Sequence, residues 1–158
     1  MRSERGAVAI LVILALPALL AMIALVVGLG SVVLAYHQAH IAADLGALAG
    51  VQSLDLDQLA EGKIWIDPEE ARGQAEKIAW ENLRANFAGL RRAEVEITVE
   101  VYQASESEPL YHRTTGRRLT APTVAVQLAF QRRLPLVIYS RSIAVRARAD
   151  ASAVRRRQ

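Results

Sequence analysis

Residues Ala7 to Ala35 read AVAILVILALPALLAMIALVVGLGSVVLA, with no charged side chain among them. An α-helix rising 1.5 Å per residue needs about 20 apolar residues to cross the ~30 Å hydrocarbon core of a bilayer. This run is longer than that, and longer than the roughly 7–15 apolar residues of a cleaved secretory signal. It predicts a membrane-spanning helix over 7–35. Arg2 and Arg5 precede the run, and no Lys or Arg follows it until Lys63. Positive charge flanking a span stays in the cytoplasm. The expectation is therefore a cytoplasmic N-terminus at 1–6, with the chain beyond residue 36 held outside the cell membrane. Pro17 lies within the span, where it removes a backbone donor and predicts a local kink. Gly28 and Gly30 remove side chains near the outer end.

The helical pattern continues past the apolar run as YHQAHIAADLGALAGVQSL, from Tyr36 onward. Ala35, Ala39, Ala42, Gly46 and Gly50 follow at helical steps and form a stripe of small side chains. Such a stripe lets another backbone approach closely. It suits packing against another subunit or against the protein's own domain equally well. Ile41, Leu45 and Leu48 fall on an adjoining face, so 36–52 reads as an extracytoplasmic, amphipathic continuation of the anchor. Tyr36 stands where an aromatic belt is expected.

Residues 53–152 read as an outer domain. A connector over 53–67 leads to Asp67-Pro68-Glu69-Glu70, a strong helix start. Asp67 caps the first turn, Pro68 suits the first helical position, and the acids favour the positive end of the helix dipole. Ala71, Ala75, Ile78, Ala79, Leu83 and Phe87 keep helical spacing and Gly89 suits the end, predicting a helix over 68–88. From Glu94 the period changes to two. Val95, Ile97, Val99 and Val101 alternate with Glu94, Glu96, Thr98 and Glu100; Val124 to Phe130 and Ile143 to Ala149 alternate likewise. Each reads as a half-buried strand. Residues 105–109 and 115–118 read as turns. The expected fold class is α+β, with a second helix on an antiparallel sheet of three to four strands. Glu94, Glu96 and Glu100 would pair with Arg146 and Arg148 if their strands adjoin.

Charge is uneven along the chain. Residues 37–90 hold nine acids against four bases, and residues 91–158 hold thirteen bases against six acids. Attraction within the fold, attraction between subunits, and simple solvation are all compatible with this pattern. The chain has no cysteine, which excludes disulfides, thiolate metal sites and a thiol nucleophile. It carries no phosphate loop, dinucleotide fingerprint, nucleophile elbow or zinc-protease motif. His37, His40 and Asp44 share helical spacing that is able to take a metal, yet polar residues are ordinary where a helix leaves the bilayer. His112 falls in a loop. Trp65 and Trp80 read as core or interface residues. Residues 153–158 form a basic tail; no aromatic residue interleaves with Arg155–Arg157, so nucleic acid is not an expected partner. Neither an enzyme nor a cofactor is expected.

Glu4-Arg5-Gly6-Ala7-Val8-Ala9, an apolar span containing Pro17, then Gly30, Ala42-Ala43-Asp44 and Ala47-Leu48-Ala49-Gly50 together resemble the N-terminal region of TadE/TadG-type pilus assembly proteins. These belong to the tight-adherence (Flp) branch of type IV pilus systems. The strand ending in Ala147, Ala149 and Ala151 is similar to the alanine-rich end of short members. The resemblance implies a pilin-like architecture and a processing point, if any, between Gly6 and Ala7. Processed members carry a glutamate five residues after that glycine, where this chain has Leu11, which leans the resemblance toward the uncleaved TadG-like type. In that type an acid tends to precede the second glycine at the end of the span, and here Gly28 stands in its place. The function implied is a non-enzymatic component of a Tad/Flp-type pilus system, a minor pilin-like subunit or an assembly factor. Its partners would be the membrane, other pilus or platform proteins through helix packing, and further copies of itself. The alternative is a free-standing, membrane-anchored module that binds a wall polymer or a protein.

Overall fold

The computed structural model describes the backbone at residues 2–135 and 140–153, and side chains at 12–132 and 142–153. The elements in order are α1 (Arg2–Val51), α2 (Leu56–Ala60), α3 (Pro68–Asn86), a 3-10 turn (Arg92–Glu94), β1 (Val95–Tyr102), β2 (Leu110–Tyr111), β3 (Arg118–Leu119), β4 (Thr123–Pro135) and β5 (Ser140–Ser152). The fold is α+β, as its sequence periods predict. The side chains of Ala7 and Leu11 and the tail arginines Arg155–Arg157 lie outside the described residues.

Two compact units can be distinguished. One takes in the chain up to Ala35 together with Arg132–Ile143; the other takes in Tyr36–Gln131 and the chain from Ala144. In the first unit α1 is helical through Pro17 and turns large apolar side chains outward on every side: Ile13, Leu14, Val27 and Val33 are each 65–71% exposed. Within α1, Val12–Val51 is a helix long and apolar enough to cross a membrane, and none of its most apolar window, of mean hydropathy 2.9, is buried.

The second unit is a three-stranded antiparallel sheet in the order β1-β4-β5, with helices on one face. β1 and β4 run antiparallel with Val95 opposite Phe130 and Tyr102 opposite Thr123. That register sets Ile97, Val99 and Val101 against Leu128, Val126 and Val124, so the two period-two patterns merge into one apolar face. α3 begins as its sequence dictates: Asp67 Oδ1 accepts from the amides of Glu69 at 2.9 Å and Glu70 at 3.0 Å, with Pro68 in the first turn. Its buried stripe is Ala71, Ala75, Ala79 and Leu83. Phe87, just past its end, meets Phe130 edge-on with ring centres 5.0 Å apart. Gly89 follows in the left-handed region at φ +80°, which lets the chain reverse toward β1.

The structure adds elements to the sequence reading. The connector contains α2, capped by Asp55, and a single bridge between Leu54 and Ile66. The excursion from β1 to β4, expected as turns alone, contains the β2–β3 ribbon, with Leu110 opposite Leu119. One pairing expectation is corrected. β4 lies between β1 and β5, so Glu94, Glu96 and Glu100 do not adjoin Arg146 and Arg148. The ion pairs form elsewhere: Glu94 with Arg91, Glu76 with Arg92, Glu100 with Arg113 and Asp150 with Arg117.

Candidate functional site

The small-residue stripe is turned inward. Ala39, Ala42, Ala43 and Ala47 are buried, as is Ala35. A Cβ placed on Gly46 would stand 2.9 Å from the Ala75 carbonyl oxygen and 2.9 Å from the Ala79 methyl. On Gly50 it would stand 2.9 Å from a Val124 methyl and 3.1 Å from the Ala71 carbonyl oxygen. The second half of α1 therefore packs against α3 and β4 of its own chain, small side chain against small side chain. Any added atom there meets backbone, which has nowhere to move. In this way the stripe meets the chain's own domain, one of the two uses its spacing allows.

Burying the small residues leaves the larger ones outside. Ile41, Leu45 and Leu48 lie at helical spacing and are 39%, 39% and 50% exposed. On this segment the helix shows solvent its bulkiest apolar atoms, the reverse of an ordinary surface helix. Tyr36 begins the segment, and its hydroxyl donates to the Ala144 carbonyl of β5 at 3.0 Å. The positions singled out nearer the N-terminus are plain helix. Pro17 lies inside α1, Ser31 Oγ donates to the Gly28 carbonyl at 2.7 Å, and a side chain added at Gly30 would meet nothing. Gly6 is also within α1.

His37, His40 and Asp44 are all exposed, and among the described residues no group of three or more such side chains is placed to hold a metal ion. Trp65 is 42% exposed, and Trp80 is half-buried with the Arg92 guanidinium 6.0 Å from its ring centre.

His112, read from sequence as a loop residue, is 1% exposed. Its Nδ1 accepts from the Thr114 amide at 3.2 Å and the Thr115 amide at 3.4 Å, and its backbone closes the turn onto Arg117 and Gly116. The imidazole lies beside Tyr102, ring centres 5.3 Å apart. The Tyr102 hydroxyl donates to Glu100 and accepts from the Arg113 amide. Burial, then the Glu100 hydrogen bond, pushes the Tyr102 hydroxyl above the ordinary phenol value. This cluster ties the β2–β3 ribbon to the sheet. The legible signal was the run His112-Arg113-Thr114-Thr115-Gly116, in which Gly116 has φ +66°.

The other face of the sheet carries the turn of the β2–β3 ribbon, where Gln127 Nε2 donates to Thr114 Oγ1 at 3.0 Å, Arg113 pairs with Glu100, Arg117 pairs with Asp150, and Ala125 is buried. Glu96, Thr98 and Glu100 on β1 stand opposite Ala129, Gln127 and Ala125 on β4, and β5 carries Arg146 and Arg148. Glu96 thus lies on one edge strand and Arg146 and Arg148 on the other, with β4 between them. Nothing in this arrangement brings a nucleophile, a base and an orienting group together.

A long apolar helix whose second half packs through alanine and glycine onto an α+β domain is the geometry at hand, and one family model matches its N-terminal part. Residues 6–53 match the model of the putative Flp pilus-assembly TadE/G-like family. The match runs from the start of the apolar helix to two residues past the end of α1; α3 and the sheet lie beyond it. It supports a pilus-associated role and, with it, a non-enzymatic one. The chain has one candidate transmembrane helix among the described residues, and the family match falls on it. Comparisons with curated proteins and with solved structures found no match.

Proposed function

We propose that this chain is a membrane-anchored, non-enzymatic component of a Tad/Flp-type pilus system, with the N-terminus of α1 in the cytoplasm and the α+β domain outside the cell membrane. The observation that carries the reading is the family match at 6–53, which falls on the candidate membrane helix Val12–Val51. The exposed row of Ile41, Leu45 and Leu48 supports it, because it gives an assembly partner's helix an apolar surface just beyond the span. Arg2 and Arg5 before the span, with no base after it until Lys63, support the orientation.

Shearing filaments from cells and following the protein by quantitative immunoblot tests the role. Recovery with the filaments identifies a minor pilin. Retention in the membrane, together with loss of surface pili on deletion, identifies an assembly factor. Normal piliation in the deletion strain would overturn the proposal and leave an anchored binding module. Orientation is tested separately: the chain has no cysteine, so Glu61→Cys supplies a single thiol. A membrane-impermeant maleimide should label it in intact cells, and protection there would reverse the topology.

A further inference from the structure

The β4–β5 hairpin runs past the rest of the sheet. β1 pairs with β4 from Thr123 to Phe130 only, while β4 continues to Pro135 and β5 begins at Ser140. Its direction is set at two points along α1. Val124 lies against Gly50, and Ala144 of β5 accepts the Tyr36 hydroxyl. β4 therefore runs back along the second half of α1 toward Tyr36, where the apolar run stops. Arg132–Ile143 then belongs to the same compact unit as the chain up to Ala35, which holds the apolar run.

Between Arg133 and Arg141 the chain reads LPLVIYS, and no acid falls anywhere between Glu108 and Asp150. A hairpin end in water takes Gly, Asn or Asp to make its turn. This one has Leu136-Val137-Ile138-Tyr139 between its strands, with Arg132 and Arg133 before them and Arg141 after. Apolar residues with an aromatic ring and a basic collar favour the boundary between hydrocarbon and phosphate.

We infer that the end of this hairpin is a second membrane contact, entering the outer boundary of the bilayer beside the span, with its arginines held at anionic lipid phosphates. The lengths agree. The 29 residues from Ala7 to Ala35 extend about 43 Å, roughly 13 Å more than the hydrocarbon core. The steps from Gln131 to Pro135 cover the same ~13 Å. With Ala7 at the cytoplasmic boundary, Leu134 and Pro135 thus return to the depth at which the outer hydrocarbon begins. Guanidinium groups bind phosphate oxygens through paired hydrogen bonds, and their long stems keep the charge among the headgroups. A second contact fixes the domain's tilt over the bilayer, which a single helix leaves loose.

The inference rests on the reading above in taking α1 as a membrane span, and the experiment separates the two. The chain has no cysteine, so Leu134→Cys, Val27→Cys and Thr120→Cys each place one environment-sensitive dye on the full chain, reconstituted in phosphatidylglycerol-containing vesicles. Spin-labelled lipid should quench the dye at 134 and at 27 severalfold more than at 120, and iodide should quench it severalfold less. Arg133→Glu with Arg141→Glu, added to Leu134→Cys, should lower lipid quenching at 134 about threefold. Ser140→Cys gives the same readout if Leu134→Cys does not accumulate, and circular dichroism of each variant should match the parent. Iodide access at 134 equal to that at 120 would overturn the inference, as would lipid quenching indifferent to the arginines. So would shielding from both quenchers, which means that protein covers the hairpin. Absence of lipid quenching at 27 would overturn the span itself, and the inference with it.

Discussion

The two halves of α1 use the same few residue types in opposite ways. From Val12 to Leu34 the helix exposes Leu, Ile and Val, whereas from Tyr36 to Val51 it buries Ala39, Ala42, Ala43, Gly46, Ala47 and Gly50. The difference lies in what surrounds each half. Lipid accepts any apolar side chain and asks only that backbone groups be satisfied, so shape hardly matters there. A protein neighbour asks for shape, and α3 offers a row of alanines whose carbonyls stand within 3.1 Å of where a Cβ would be at Gly46 and Gly50. Small residues are tolerated in the first half and required in the second.

The sharpest way to break that contrast is to add the same side chain to a glycine in each half. Gly46→Leu forces atoms into the Ala75 carbonyl and should destabilise the domain by about 3 kcal/mol or more. Gly30→Leu meets nothing and should leave the unfolding midpoint unchanged. Urea denaturation of the purified chain in detergent, followed by tryptophan fluorescence, reads both.

A buried charge tests the other half. Leu20→Arg, in the middle of the apolar run, should oppose insertion by about 3 kcal/mol and raise the fraction released by alkaline extraction. Leu45→Arg, on the exposed side of the second half, should leave anchoring unchanged. Equal release from both variants would mean that the two halves share one environment.

A smaller effect probes the start of the second half. Tyr36→Phe removes the hydrogen bond to Ala144 and should cost at most about 1 kcal/mol, seen as a modest fall in the urea midpoint. No change at all would mean that water replaces the hydroxyl at the Ala144 carbonyl without loss.

The smallest is a pH effect far from the helix. Burial and the Glu100 hydrogen bond hold Tyr102 protonated above the usual phenol value of 10.0. Because the folded state keeps the proton more tightly, the tyrosine's contribution to stability is complete below the unfolded phenol's pKa. It is lost as pH rises through the higher folded value. Ultraviolet titration of the phenolate, wild type minus Tyr102→Phe, should give a midpoint above 10.0. A midpoint at or below it would show that the Arg113 contacts outweigh burial.

What a single stretch of chain carries was legible. Length and the absence of charge marked the apolar span. Asp67-Pro68 marked the start of α3 at the right residue, and period-two alternation marked β1, β4 and β5, though β4 extends to Pro135 and β5 begins at Ser140. The β2–β3 ribbon was missed because two-residue strands are too short to show a period. The candidate surfaces were only half legible: the stripe of small residues was visible, but its occupant was not.

By itself the sequence determined the longer elements, the apolar run and the uneven charge, because caps, periods and hydrophobicity act between residues close along the chain. Strand order, the choice of α3 as the stripe's partner, and the separation of Glu96 from Arg146 and Arg148 were decided only by tertiary structure. The physical reason is that helical spacing offers the same small-residue face to any neighbour, and alternation fixes which way a side chain points without fixing which strand lies beside it.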